Sequence, residues 1–380
     1  MTTYLLHGDS LHSPEMRHEI AEVVADPVTF LDHEGRRIIV VSPLEESIFA
    51  TREDVIDEIW TVHELGWGEL IKDESMSLYD LEAEMVLRAL TRAGTASVAV
   101  PASFGLLVGD YLRARGIEVN VDADGWAERR RRKAPWELEG IERAQRATET
   151  AMLTAAHMLR GAEPTDKGTL RFEGEILTAE MIREAMSAQL VALGAESEEI
   201  LVQSGDACMN GHDLGFGPIL PDRSCIIDCF PRDRRTGVYT DMTRTFVPGV
   251  PSKELSALHE HCRAALDAAL EGMKPGDDRA FRRVAEYFES HGYPTYLSHE
   301  GDSPLREGFS HGLGHGVGLE VHEPPAMGRR SMPLMAGEVV AVEPGLYFEG
   351  IGGVRLEDTV VVTDDGVERF TDPFSYDLQP

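Results

Sequence analysis

Two histidines seven positions apart, His315 and His322, stand among glycines in the run GLGHGVGLEVHEP at 312–324. Glycine at 312, 314, 316 and 318 is incompatible with a packed helix and lets neighbouring backbones come close. One imidazole can then ligate a metal ion while the other faces whatever the ion acts on, as hydrolysis by metal-activated water requires. Four acids in the same half of the chain, Asp228, Asp241, Glu343 and Glu357, sit on strand-like segments and offer oxygen ligands. Taken singly, each reads as a solvated strand residue, since Asp and Glu are depleted in strands and seldom buried unpaired. Yet Asp228 follows two isoleucines and Glu343 follows Val-Val-Ala-Val, which is how a buried strand reads, so these carboxylates need cationic partners. Four converging carboxylates cannot all stay ionised without compensation, and two divalent cations supply charge of that size. Oxygen donors with one imidazole suit Mn, Co, Fe or Zn and disfavour a thiolate-type structural zinc site.

The elements that must position these groups read as two hairpins. The β-rich runs CIIDCF at 225–230 and VYTDMTRTF at 238–246 flank a turn-like PRDRRTG, so folding about the turn brings Asp228 and Asp241, 13 positions apart, opposite or nearly opposite each other. The glutamates repeat the pattern: GEVVAVEP at 337–344 leads through a glycine-rich loop into VRLEDTVVV at 354–362. A period of two puts Arg355, Glu357 and Thr359 on one face.

This ordered set resembles the M24 "pita-bread" metallopeptidases, the family of methionine aminopeptidases, prolidases and Xaa-Pro aminopeptidases, over the region from about Ala134 onward. The family's Asp, Asp, His, Glu, Glu series is matched in order by Asp228, Asp241, His315, Glu343 and Glu357. The resemblance implies two divalent metal ions (Mn, Co, Fe or Zn), with Asp228 on one, His315 and Glu343 on the other, and Asp241 and Glu357 bridging. It further implies that His322, and His212 upstream, face the substrate. Glu343 is then the expected general base and later proton donor, and Arg355 is expected to fix Glu357 or neighbouring acids through charge-assisted bonds. The GGVRLED run at 352–358 is similar to the Gly-x-Arg-x-Glu-Asp pattern of the proline-specific branch, as is the possession of an N-terminal region of about 130 residues. The implied activity is hydrolysis between an N-terminal residue and a following proline, as an Xaa-Pro dipeptidase or aminopeptidase. The implied substrates are small peptides with proline second, and the implied assembly is a homodimer. The chain departs from the family in its Asp228 to Asp241 interval, two residues longer than in many members, with the surplus in the turn.

The expected fold is α/β (α+β). A small N-terminal α/β creatinase-like domain occupies 1–128, a linker 129–137, and a pita-bread catalytic domain 138–380. In the first, strand-like runs (36–41, 97–100, 117–121) alternate with helical patterns at 78–93 and 104–115. The basic run ERRRRKAP at 128–135 reads as a solvated boundary. Helical patterns follow at 136–159, 178–193, 252–273 and 279–291.

With 36 Lys and Arg against 67 Asp and Glu, the formal charge of −31 disfavours nucleic acid or an anionic membrane as partner. Cys208, Cys225, Cys229 and Cys262 show no metal-type spacing and no dense disulfide framework, which points to a reducing cytoplasm. No apolar run reaches transmembrane length, and the first residues lack a signal-peptide pattern. The residues GFSHG at 308–312 satisfy the G-x-S-x-G pattern of serine hydrolases, but that elbow needs a helix directly after the serine, and alternating glycines follow Ser310. His259-Glu260-His261, on a predicted helix, matches no zinc pattern and reads as solvated surface. A broader-specificity aminopeptidase, a metal-free creatinase-like amidinohydrolase and a non-catalytic binding protein of the same fold are the alternatives. The last two usually show substitutions among the five ligand positions, and this chain has none.

Overall fold

Strands that are apolar at consecutive positions must bury both faces, and the N-terminal strands do so. Leu5, Leu31, Ile38 and Val40 enter one core while Leu6, Phe30, Ile39 and Val41 enter another on the opposite side of the same sheet. The computed structural model describes residues 2–300, 302–371 and 374–380. These fall into two compact units, Met1–Arg130 and Arg131–Pro380. The first is a six-stranded mixed sheet in the order Glu58–Thr61, Arg36–Val41, Val28–His33, Tyr4–Gly8, Ser97–Val100, Glu118–Val121. Its longest helix, Leu78–Ala93, begins where Ser77 and Asp80 form a reciprocal capping box and ends at Gly94 with φ 78°.

The basic run is not a solvated linker. Arg130, Arg131 and Lys133 are buried, and the run divides between the units. Arg129 pairs with Glu19 and Asp32, and Arg130 with Glu15, in the first. In the second, Arg131 pairs with Glu338 and Lys133 with Glu323. A charge run looks solvated only while the carboxylates it will meet, distant in sequence, are out of view.

In the second unit, helices Pro135–Arg160 and Ala179–Ala192 cover a three-stranded sheet ordered Ile200–Ser204, Cys225–Cys229, Met242–Phe246. Helices Lys253–Gly272 and Ala280–Ser290 likewise cover the five-stranded sheet containing Gly314–Gly316, Val339–Val342 and Asp358–Val362. Strand alternation then sorts residues by face. Cys225, Ile227, Cys229, Met242 and Phe246 point into the first helical core, and Val340, Val342, Leu356, Val360 and Val362 into the second. The intervening positions, which include all four acids and Arg355, are left for the faces turned away from the helices. His259 and His261 are half-buried instead of solvated, with the His261 ring against Tyr287, His291 and Tyr293. The His261 side of the helix is covered by the neighbouring helix and the loop that follows it, which spacing along one helix does not reveal.

Candidate metal centre

The aspartate strands pair with Asp228 opposite Thr243 and Cys229 opposite Met242. Asp241, one position before its strand, is therefore a diagonal neighbour of Asp228 on the same face. Residues 231–240 are more than a turn: Arg232–Asp233 pairs with Ala195–Glu196, while the ladder from Cys225 to Cys229 stays in regular register. The glutamates sit at a break in a long hairpin. Val342 pairs with Asp358 on one side of the break and Gly345 with Arg355 on the other, so Glu343 and Glu357 face each other in continuous register. Their amides bond outside the hairpin, Glu343 N–H to the Leu313 carbonyl (2.8 Å) and Glu357 N–H to that of Thr243 (3.1 Å), which ties both acids to the other site strands.

His315 is placed by its two glycines. Gly314–Gly316 is a central strand between Glu323–Met327 and Val339–Val342. A Cβ on Gly314 would lie 1.9 Å from the Ala341 carbonyl oxygen, and one on Gly316 would lie 2.3 Å from that of Pro324. Gly314→Ala is accordingly expected to cost roughly 3 kcal/mol of stability and to displace His315, read as a lowered urea midpoint together with weakened metal binding. A variant as stable as the parent would refute the need for close approach.

These strands bring one ligand atom each from Asp241, His315 and Glu357 within 4.8 Å of one another. Asp228, Glu343, His212, His322 and Arg355 line the same cavity, of about 570 Å³. Every site residue expected from the sequence is thus brought to one place. His315 Nδ1 lies 3.1 Å from the Gly316 carbonyl, which can only accept. Nδ1 therefore carries the proton, and Nε2, 3.8 Å from Asp241 Oδ2, presents its lone pair to the cluster. Burial, reinforced by His322, pushes His315 down to about 4, so it is neutral near pH 7, as a ligand must be. The His322 ring lies 4.1 Å from it and is exposed to the cavity, as is His212.

The carboxylates behave as a crowded set. Burial, then repulsion from Glu357, Asp228 and Glu343, holds Asp241 well above the usual carboxylate range. Glu357 is raised by burial and by Asp228 and Glu343. Burial pushes Glu343 up to about 7 against the opposing pull of Arg355. Asp228 Oδ1 and Asp241 Oδ1 are buried and accept no hydrogen bond from the described residues. Four acids with one guanidinium among them, two of the acids with an orphaned buried oxygen, fit divalent cations, and the donor set of oxygens with one imidazole fits borderline to hard ions.

Arg355 braces Asp228, not Glu357: its Nη2 donates to Asp228 Oδ2 at 2.5 Å. Glu357 is held instead by the Thr243 hydroxyl at 2.6 Å, which also lies 3.3 Å from Arg355 Nε. Two further residues escaped sequence reasoning. Arg355 Nη1 donates to the Tyr347 hydroxyl (3.3 Å), and that hydroxyl lies 3.0 Å from His311 Nε2. His311 Nδ1, 2.7 Å from the Gly312 carbonyl, must carry the proton, so Nε2 accepts from Tyr347. The available signal was a third imidazole four positions before His315. Ser310 also lines the cavity, but a strand and not a helix follows it, so it lacks the elbow of a serine nucleophile.

Paired helices over two sheets, with five metal-type ligands gathered on the side turned away from the helices, define a metallohydrolase-like centre. A family model described as Metallopeptidase family M24 matches residues 139–364, well over half of the sequence, and the chain belongs to that family. It is 39% identical over 139 residues to an Xaa-Pro dipeptidase of Pyrococcus horikoshii, an alignment covering 35% of each protein. It is 34% identical over 181 residues to an Xaa-Pro dipeptidase of Lactobacillus helveticus, covering 46% of this chain and 45% of the relative. The chain thus spans about a third to a half of the length of these curated relatives. Among solved structures, an X-Pro aminopeptidase from Thermotoga maritima superposes with a TM-score of 0.75 at 21% identity, over 99% of this chain and 97% of that one. The prolidase from Pyrococcus horikoshii OT3 gives 0.73 at 22% identity, over 100% and 95%. Both share the fold along the full sequence.

Proposed function

We propose that this chain is a metal-dependent peptidase that cleaves between an N-terminal residue and a following proline, as an Xaa-Pro dipeptidase or aminopeptidase. The observation that carries the reading is the convergence of Asp228, Asp241, His315, Glu343 and Glu357, with orphaned carboxylate oxygens, on a cavity of about 570 Å³. In this reading the five side chains hold two divalent ions (Mn, Co, Fe or Zn), which when bound supply Lewis acidity that activates water and polarises the scissile carbonyl. Glu343 takes the proton from the attacking water and passes it to the departing amine. His322 and His212, exposed on the cavity wall, hydrogen-bond the developing oxyanion or the leaving group. Arg355 acts indirectly, fixing Asp228 while Tyr347 and His311 fix Arg355. The preference for proline is supported by the GGVRLED run and by the names of the relatives.

The proposal extends to a cytoplasmic homodimer. The four cysteines, all free and buried, suit a reducing compartment, and light scattering checks the mass. The catalytic test compares Ala-Pro, Ala-Pro-Ala and Ala-Ala, each with Mn and with chelator. Mn-dependent release of alanine from the proline peptides, with Ala-Ala spared, is expected. Equal cleavage of Ala-Ala, or turnover indifferent to chelator, would defeat the proposal.

A further inference from the structure

We infer that Glu199 makes this site selective for substrates with a cationic side chain on the residue before the scissile bond, an inference that rests on the peptidase reading above. Ile200 pairs with Cys229 and Leu201 with Asp228. Continuing that register one step sets Glu199 beside Phe230, and strand alternation puts Glu199, Leu201, Asp228 and Phe230 on one face. All four line the same cavity. Glu199 is two extended residues, about 7 Å, along the strand from the Leu201–Asp228 pair. That is too far to share an ion with Asp228, and it is about the reach of an arginine or lysine side chain whose own carbonyl sits at the metal centre.

The other four acids of the cavity wall belong to the metal centre, whereas Glu199 is exposed and its carboxylate has no cationic partner among the described residues. Its one side-chain neighbour by hydrogen bond, Ser197, reaches its backbone carbonyl and leaves the carboxylate free. Leu201, Met209 and Phe230 offer apolar surface for a methylene stem leading to that carboxylate. Among the described lining residues the single arginine, Arg355, is tied to Asp228 and so is not free for an acidic side chain. The formal charge of −31 adds a long-range bias toward cationic peptides.

The test uses Arg-Pro against citrulline-Pro, which has the same shape without the charge, with Ala-Pro as a report on the centre itself. In the Mn-loaded parent protein, kcat/KM for Arg-Pro is expected to exceed that for citrulline-Pro by about fivefold at low salt, shrinking as ionic strength rises. Glu199→Gln is expected to bring the ratio near one, and Glu199→Lys to invert it. A parent ratio near one, or a ratio unchanged in Glu199→Gln, overturns the inference while Ala-Pro turnover leaves the peptidase reading standing. Absence of Ala-Pro turnover removes both. If Glu199 read the substrate's α-ammonium instead, Glu199→Gln would slow both substrates alike and leave the ratio intact, which also counts against it.

Discussion

Glu343→Gln is expected to leave a folded protein whose kcat on an Xaa-Pro peptide is lower by on the order of 10²–10⁴. The side chain stands at the break of the glutamate hairpin, with its backbone fixed by the Leu313 carbonyl and its carboxyl open to the cavity. A carboxylate in that place can accept a proton from the attacking water and return it to the departing amine. Glutamine keeps the shape and one oxygen but cannot carry the proton from water to amine. Glu343→Ala should be at least as inactive. Neither change opens a hole in the helical cores, since Glu343 lies on the face away from them. Circular dichroism should match the parent, with any change in unfolding confined to the pH-dependent and metal-dependent parts of its stability. Turnover within a few-fold of the parent would remove Glu343 from the proton-transfer role.

Metal removal is expected to abolish turnover and to make stability depend on pH in a defined direction. Glu343 alone, raised from an ordinary 4.5 to about 7, represents roughly 3 kcal/mol, and Asp241 and Glu357 are raised as well. Because each folded-state value lies above the unfolded one, the folded metal-free protein binds more protons than the unfolded chain in between. The contribution of these three acids to stability is fully present below the usual carboxylate range and is lost as pH rises from about 4.5 through 7, while His315, lowered to about 4, contributes in the opposite sense as pH falls. Bound cations replace those protons, so added Mn should raise Tm more at pH 8 than at pH 5 and should release protons on binding. A Tm gain independent of pH, with no proton release, would mean that these carboxylates are not the ligands.

Much of this molecule was legible from pattern alone. The helix expected at 78–93 is observed as Leu78–Ala93, and the strands at 36–41 and 97–100 match residue for residue, because strong periodicity there coincides with capping and turn residues. The five ligand-type residues were readable because acids within apolar strand runs and histidine amid glycines are chemically conspicuous. Register was not. The aspartates were expected opposite or nearly opposite, and only the paired strands show that they are diagonal neighbours, with Arg232–Asp233 pairing to a strand outside the hairpin. The basic run looked solvated because its buried partners, such as Glu323 and Glu338, lie about 200 positions away.

Residue type and period two are local properties, so the order of amino acids was enough to mark the side chains with metal chemistry, the strand faces that must be apolar, and the family whose ligand series they match. Which groups serve those ligands became visible once the strands were packed side by side. Arg355 goes to Asp228 and Thr243 to Glu357, His311 and Tyr347 close the bracing network, and Glu199 comes to the cavity wall. Those partnerships join residues up to 127 positions apart, and they are set by which strands lie side by side, a choice made by packing two helical cores and not by any local signal.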